Sequence, residues 1–230
     1  MLKVSRRALS GLFLLIAASG AAAQSSCSSD GRPRPVALVE RFISADCEAC
    51  WREGGAAKPA RGQLVLDWIV PGSRGDDAPL SAAATRDAVA RLEALHLREP
   101  VQSEVSRRKV TSSVHRVRVA HGLPFQGYLG TSIELKPGRG GPWTAWLLLV
   151  ETIPAGTDGT PVARNLVRNV VQPAWGGDRE LSKAEQRRLF ESRPMSIPEG
   201  AKPERLRVVG LVEDARGRVV AVSASGCGGR

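Results

Sequence analysis

Two cysteines, Cys47 and Cys50, follow directly on an apolar stretch, and this combination limits the fold more than any other feature of the sequence. Residues 36–43 are nearly all apolar apart from Glu40 and Arg41, which is typical of an interior strand buried on both faces. A short polar turn precedes the Cys-Glu-Ala-Cys sequence, where Asp46 is a candidate helix cap. The sequence therefore predicts a strand that leads into a helix carrying two thiols.

The next elements continue an alternation of strands and helices. Gly54 and Gly55 keep the cysteine helix short, and residues 63–70 form a second apolar run that predicts a buried strand. Residues 81–98 have apolar side chains at helical spacing, and Pro100 ends that helix. The order strand, helix, strand, helix predicts a βαβα unit with parallel strands.

After Pro100 the pattern changes to shorter alternating runs separated by turns rich in glycine and proline. The predicted strands are residues 115–120, 128–135, 143–152 and 162–171, with a closing hairpin from 206–212 and 218–223. Ser182 and Glu185 predict a capped helix that runs to about residue 191, and the prolines of 193–204 predict a loop. This half is therefore predicted to be β-rich and mainly antiparallel.

The first residues have the composition of an export signal. Lys3, Arg6 and Arg7 precede an apolar run over residues 8–18 and then three alanines, so we expect cleavage after Ala23. No later run is long enough for a transmembrane helix. We therefore expect a periplasmic or secreted protein in an oxidising compartment, without a membrane span in the mature chain.

The basic composition has two interpretations. Lysine and arginine number 33 against 23 acidic residues, a formal net charge of +10, which raises the question of nucleic-acid binding. The arginines are spread throughout the chain, however, and aromatic residues amount to only 4%. We therefore expect no nucleic-acid partner.

The spacing of Cys47 and Cys50 determines the chemistry that these two residues can carry out. Two cysteines three positions apart at the start of a helix can form a disulfide, and the helix N-terminus stabilises a thiolate. Cys47 is the candidate attacking thiol and Cys50 the resolving one, with Glu48 opposing a very low thiol pKa. A permanent structural disulfide is the alternative. A zinc site needs two further ligands, and the three histidines are not spaced as a second pair, so no metal is expected.

The remaining cysteines, Cys27 and Cys227, stand near the two ends of the expected mature chain. The termini of a domain often lie close together, so a structural Cys27–Cys227 bridge is predicted, although four cysteines allow three pairings. Such a bridge closes a long loop and restricts the unfolded chain.

Three further residues are candidates for the site because of their strand positions. Glu40 interrupts the first strand before the cysteine pair, where a carboxyl group can move protons during disulfide exchange; an ordinary salt bridge to an arginine is the alternative. Asp67 and Trp68 come near the end of the second strand, on the edge where α/β sheets bind ligands. Capping and packing are the alternatives for these two.

Several stretches together resemble a secreted bacterial thioredoxin-like family known only as domain of unknown function 1223. The resemblance lies in VERFISADCEAC, the LDW of the second strand, WTAWLLLVETI, RNLVRNVVQPAWGG and VVGLVEDARGRVVAVSAS, and covers about residues 35–224. It implies a thioredoxin-like half followed by a β-rich half. No activity is established for the family. The sequence departs from the family at Trp51 and at Glu99, where the family has proline and threonine.

The resemblance also implies roles for individual residues. Glu40 matches the family's strand glutamate, Cys47 and Cys50 its cysteine pair, and Asp67 with Trp68 its aspartate–aromatic motif. Pro100 matches a proline that thioredoxin-like folds place in the cis form beside the disulfide, where it binds extended substrate. Asp67, Trp68 and Pro100 are thus the expected substrate-binding residues.

The fold class expected from the sequence is α/β, a thioredoxin-like βαβα unit followed by a β-rich C-terminal half. The expected boundaries are a leader over 1–23, a mobile segment over 24–35, the thioredoxin-like half over 36–110 and the β-rich half over 111–230.

The expected function is thiol–disulfide exchange by Cys47 and Cys50 with protein thiols or disulfides in the cell envelope, without a cofactor. The alternatives are an interaction protein with a static disulfide and a carrier of a soft ion such as Cu(I). The oligomeric state is not predicted.

Overall fold

A computed structural model of the chain describes residues 27–53, 59–111, 115–136, 141–175, 182–183 and 188–227. Strands make up 50% of these residues and helices only 13%. The expected fold class, a thioredoxin-like βαβα unit followed by a β-rich half, is therefore wrong, because the described residues are mostly β-sheet in both halves of the chain.

Two sheets and two short α-helices build the described part of the chain. The helices are α1 (Glu48–Arg52) and α2 (Arg86–Ala94). The strands are β1 (Cys27–Ser28), β2 (Ala37–Ser44), β3 (Gln63–Val70), β4 (Ser103–Lys109), β5 (Arg116–Phe125), β6 (Tyr128–Lys136), β7 (Thr144–Ile153), β8 (Arg164–Val171), β9 (Leu189–Ser196), β10 (Leu206–Glu213), β11 (Val219–Ala224) and β12 (Gly226–Cys227).

The larger sheet shows why the βαβα interpretation fails. Its seven strands have the order β11-β10-β7-β8-β3-β2-β4. β2 and β3 do pair in parallel, but β4 adds to β2 antiparallel, and β8 adds to β3 from the C-terminal half. Strands from both halves of the chain therefore share one mixed sheet instead of forming two units.

This sheet curls until its two edges meet. Just past edge strand β4, the Thr111 amide donates to the carbonyl oxygen of Val219 in the opposite edge strand β11, at 2.8 Å. A large apolar cluster fills the concave side, with side chains from six of the strands and with Ala88 and Leu92 of α2. The helix thus occupies the interior of the curl.

The smaller sheet covers part of the convex side. Its five strands have the order β12-β1-β5-β6-β9, and the apolar side chains of β5, β6 and β9 pack on those of β7, β10 and β11. Gly210 of β10 lies at the contact, where a Cβ would come within 2.5 Å of Val119 Cγ1. A residue without a side chain lets the two sheets approach closely.

Individual elements differ from the expectations. The predicted helix over 81–98 is a 3₁₀ turn over Ser81–Ala83 followed by α2, which Thr85 caps by accepting from the Ala88 amide. The predicted helix up to residue 191 is wrong where the structure describes it, because β9 begins at Leu189. Its residues 184–187 lie outside the described part of the chain.

The two ends of the described chain are joined. Cys27 and Cys227 form a disulfide, as predicted, and pair directly across β1 and β12. Strand β1 lies in the segment expected to be mobile. The predicted leader lies outside the described residues. Among the residues described, no helix has the length and apolar character needed to cross a membrane.

Candidate functional site

The Cys47–Cys50 disulfide lies at the carboxyl end of β2, at the start of α1. Cys47 is the N-cap residue, and its Sγ accepts a hydrogen bond from the Cys50 amide at 3.2 Å. Both cysteines are partly exposed. Glu48, between them, is paired with Arg52 one turn later. Both cysteine residues are therefore partly accessible at the start of α1.

The turn before the disulfide is held by the loop after β3. Asp46 does not cap α1; its carboxylate instead accepts hydrogen bonds from the Ser73 amide at 2.7 Å and the Ser73 hydroxyl at 2.9 Å. Gly72 makes room for this carboxylate, since a Cβ there would overlap Asp46. The Ala45 amide also donates to the Val70 carbonyl oxygen at 2.8 Å. The backbone that precedes Cys47 is therefore fixed.

The other end of α1 is held by Arg164 at the start of β8. Its guanidinium donates to the carbonyl oxygens of Trp51 at 2.7 Å and Cys50 at 3.3 Å, and stacks 4.5 Å from the Trp51 ring centre. The Trp51 indole donates to the Asp158 carbonyl oxygen at 2.8 Å. Arg164 thus satisfies carbonyl groups that a short helix leaves without partners.

Asp67 connects β3 to this arginine. Its buried carboxylate lies 2.7 Å from Nε of Arg41 and 3.2 Å from Nη1 of Arg164, and accepts from the Asn165 amide. Burial, reinforced by the Arg41 charge, lowers the pKa of Arg164, while Asp67 acts in the opposite direction. Asp67 therefore offers no surface to a substrate. It reaches the cysteine helix only through Arg164.

An open cavity of about 260 Å³ adjoins α1. Its apolar wall is formed by Trp51, Leu80, Ile153 and Leu166. Charged side chains, Lys202 among them, also line the cavity. Cys50 packs against the same apolar cluster as Trp51 and Leu80. A side chain bound in this cavity would contact Trp51, the residue that follows Cys50, in a partly apolar environment.

Glu40 lies on the opposite face of β2 from this site. Side chains alternate along a strand, so Glu40 points to the concave side with Leu38 and Phe42, while Ile43 points to the side where Trp51 packs. Its carboxylate pairs with Arg91 of α2 at 2.8 Å and with Arg108 of β4 at 2.5 Å. Glu40 therefore forms salt bridges to arginines, which was the alternative to a catalytic role, and it lies away from Cys47 and Cys50.

The arginines that hold Glu40 also hold a second buried carboxylate. Glu213 of β10 pairs with Arg91 at 2.9 Å and with Arg108, and accepts from the Trp146 indole at 3.0 Å. Burial opposes the charge on Glu213, but the hydrogen bonds and charge of Arg91 and Arg108 outweigh it and lower the pKa. The network links α2 to strands β2, β4, β7 and β10.

Trp68 and Pro100 differ in their distance from the site. Trp68 is only 1% exposed on the concave side, stacked on Phe42, and cannot touch a substrate. Pro100 is partly exposed, and the Gln102 carbonyl oxygen just after it accepts from the Ser44 amide at 2.8 Å, close to the cysteine turn. The cis peptide bond of the described chain precedes Pro142, so the bond before Pro100 is trans.

Two side chains near the disulfides had no signal in the sequence. Arg164 was one arginine among many, and only the pairing of β8 with β3 places it beside α1. His121 of β5 pairs across the sheet with Cys27, next to the second disulfide. Both contacts depend on strand register between distant segments.

Comparison with protein-family models, curated proteins and solved structures gives no match for this chain. The site is therefore interpreted from its own geometry and chemistry.

Proposed function

We propose that this protein is exported and that its Cys47–Cys50 disulfide exchanges with protein thiols or disulfides in the cell envelope. The observation that carries the proposal is a partly exposed disulfide with the Cys50 amide directed at Cys47 Sγ at 3.2 Å. An amide donor stabilises negative charge on the sulfur that it faces. Membership of the family domain of unknown function 1223 is part of this proposal, and the sequence motifs named above are what supports it.

The exchange uses the Cys47–Cys50 disulfide and two thiols of the partner. A partner thiolate attacks Cys47 Sγ, the Cys47–Cys50 bond breaks, and Cys50 leaves as a thiolate. A second partner thiolate then attacks the mixed disulfide, a partner disulfide forms and Cys47 is released reduced. The reverse sequence oxidises a partner dithiol. The reduction potential decides the direction.

Arg164 supports this chemistry through charge and position. Its guanidinium donates a hydrogen bond to the carbonyl oxygen of Cys50. A positive charge therefore lies close to Cys47 and Cys50 when one of them becomes a thiolate. The cavity beside Trp51 offers a place for an apolar side chain of the partner.

A second candidate function is an interaction protein in which the disulfide is static. The observation that favours it is the rigid attachment of α1, whose Trp51 is fixed to Asp158 and to Arg164. In that case Cys47–Cys50 serves only to brace the turn.

The reduction potential of Cys47–Cys50 separates the two functions. The measurement uses a protein with Cys27→Ser and Cys227→Ser, equilibrated in glutathione buffers and read by thiol alkylation. An exchange protein should have a potential between about −120 and −270 mV, whereas a structural disulfide falls below about −300 mV.

Trapping provides the second readout. Cys50→Ser should accumulate a mixed disulfide on Cys47 with envelope proteins, and Cys47→Ser, the matched control, should accumulate less. A potential below about −300 mV together with no trapped partner would contradict the proposal.

A further inference from the structure

The Cys27–Cys227 disulfide has a histidine beside it that the exchange function does not use. β12, β1 and β5 lie next to one another, with Cys227 opposite Cys27 and Cys27 opposite His121. Directly opposed residues project their side chains together on one face of a sheet. The two sulfurs and a ring nitrogen of His121 all lie within 4.8 Å of one another.

The hydrogen bonding of His121 leaves one of its ring nitrogens available as a ligand atom. It is 5% exposed, and its Nδ1 lies 2.9 Å from the carbonyl oxygen of Gly122. Because a carbonyl oxygen only accepts, the proton of the neutral ring belongs on Nδ1, and Nε2 carries the lone pair. Nε2 is buried and has no hydrogen-bond partner among the residues that the structure describes. A backbone carbonyl on the second ring nitrogen is the usual support of a metal-ligating histidine.

We propose that Cys27, His121 and Cys227 form a redox-gated zinc site, closed as a disulfide and able to bind one Zn²⁺ when reduced. A dithiol reductant supplies two electrons and two protons, the Cys27–Cys227 bond breaks, and the reductant leaves as a disulfide. Zn²⁺ then displaces the two thiol protons and is bound by two thiolates and Nε2 of His121.

The ligand set and its spacing select the ion. Zinc takes sulfur at about 2.3 Å and nitrogen at about 2.0 Å in a tetrahedron, which separates neighbouring ligand atoms by about 3.5 to 3.8 Å. Reduction must let the two sulfurs, bonded to each other in the disulfide, separate to that spacing, and a ring nitrogen of His121 already lies within 4.8 Å of both. Cys27 and His121 are buried and Cys227 is exposed, so an ion would enter from the side of Cys227. Three protein ligands leave the fourth position of a tetrahedral site to water or another ligand.

Zinc stoichiometry tests the site. A protein with Cys47→Ser and Cys50→Ser, which keeps the second pair alone, is reduced with a phosphine and checked by circular dichroism for retained structure. The reduced protein should bind one Zn²⁺, and Co²⁺ in its place should give a thiolate charge-transfer band. The oxidised protein should give no such band. Equal zinc binding by both forms, or none by the reduced form, would overturn the proposal.

His121→Asn tests the third ligand. In the reduced protein it should weaken Zn²⁺ binding at least tenfold. His96→Asn is the control, since His96 is exposed with a φ of 55°, which asparagine tolerates. If His121→Asn does not fold, the rate at which Cys27 and Cys227 are alkylated, with and without Zn²⁺, tests the site instead. Protection of these thiols by Zn²⁺ in the protein with His121 supports the site, and unchanged alkylation rates refute it.

Discussion

The buried carboxylates act as structural groups, and the alternation of side chains in β2 explains why. Glu40 points into the concave side of the sheet, where Arg91 and Arg108 balance its charge together with that of Glu213. Burial disfavours the charge on Arg91, but Glu40 and then Glu213 outweigh it and raise its pKa. A glutamate one position earlier or later in β2 would have pointed to the other face of the sheet, where the cysteine helix packs.

Glu40→Gln should lower the stability of the protein without changing the chemistry of Cys47–Cys50. Neutral glutamine leaves the buried Arg91 with less compensation, and breaking a buried pair costs about 3 kcal/mol. Urea unfolding should show that loss of unfolding free energy, while the potential of Cys47–Cys50 stays unchanged. Glu93→Gln, on the exposed side of α2, is the matched control. A shifted potential in Glu40→Gln alone would assign Glu40 to the redox site after all.

At the level of elements, the packing of the two sheets depends on one position without a side chain. Gly210 faces Val119 of β5, and an added Cβ would also lie 3.2 Å from Ile133 Cδ1 and Val117 Cγ2. These neighbours are buried, so none of them can move aside freely. The distance between the sheets is therefore set at Gly210.

Gly210→Ala should destabilise the protein through overpacking, by about 1 to 3 kcal/mol. Gly130→Ala is the control, because Gly130 lies in strand β6 and no atom of the described part of the chain comes within 4 Å of its Cβ position. Thermal unfolding should show a lower midpoint for Gly210→Ala and little change for Gly130→Ala. Equal midpoints would mean that the sheets adjust their separation easily.

Longer strands with an apolar pattern were predicted from the sequence, and those without one were missed. The limits of β3 were predicted to the residue, because its apolar run is covered on both faces. β4 and β9 were missed, and each is at one edge of its sheet, whereas β11, at the other edge of the larger sheet, is mostly buried and was predicted. Edge strands carry charged residues that discourage further pairing, so SEVSRRK and LFESRPMS lack an apolar pattern.

The candidate site was predictable only as far as its residues are local in sequence. Cys47, Cys50 and the strand before them belong to one short segment, and the disulfide between them is present. The partners of Glu40 are 51 and 68 positions away, and those of Asp67 include Arg164, 97 positions away. Their placement depends on strand order and curl, which periodicity does not encode.

At the level of the whole molecule, long-range connections close the structure on itself. The edges of the curled sheet meet at Thr111 and Val219, and Arg108 of β4 donates to Glu213 of β10. The Cys27–Cys227 disulfide then joins the first and last described strands. Of these connections only the disulfide persists on unfolding, and it restricts the unfolded chain over most of its length.

Removing each disulfide separately tests how much this closure contributes. Cys27→Ser with Cys227→Ser opens a bridge between residues 200 positions apart, which is worth about 5 kcal/mol in the loop-entropy model. Cys47→Ser with Cys50→Ser opens a bridge between residues three positions apart, worth about 2 kcal/mol in the same model. Urea unfolding should therefore show the larger loss for the first pair. Equal losses would mean that the unfolded chain already holds its ends together, because the bridge then removes little conformational freedom.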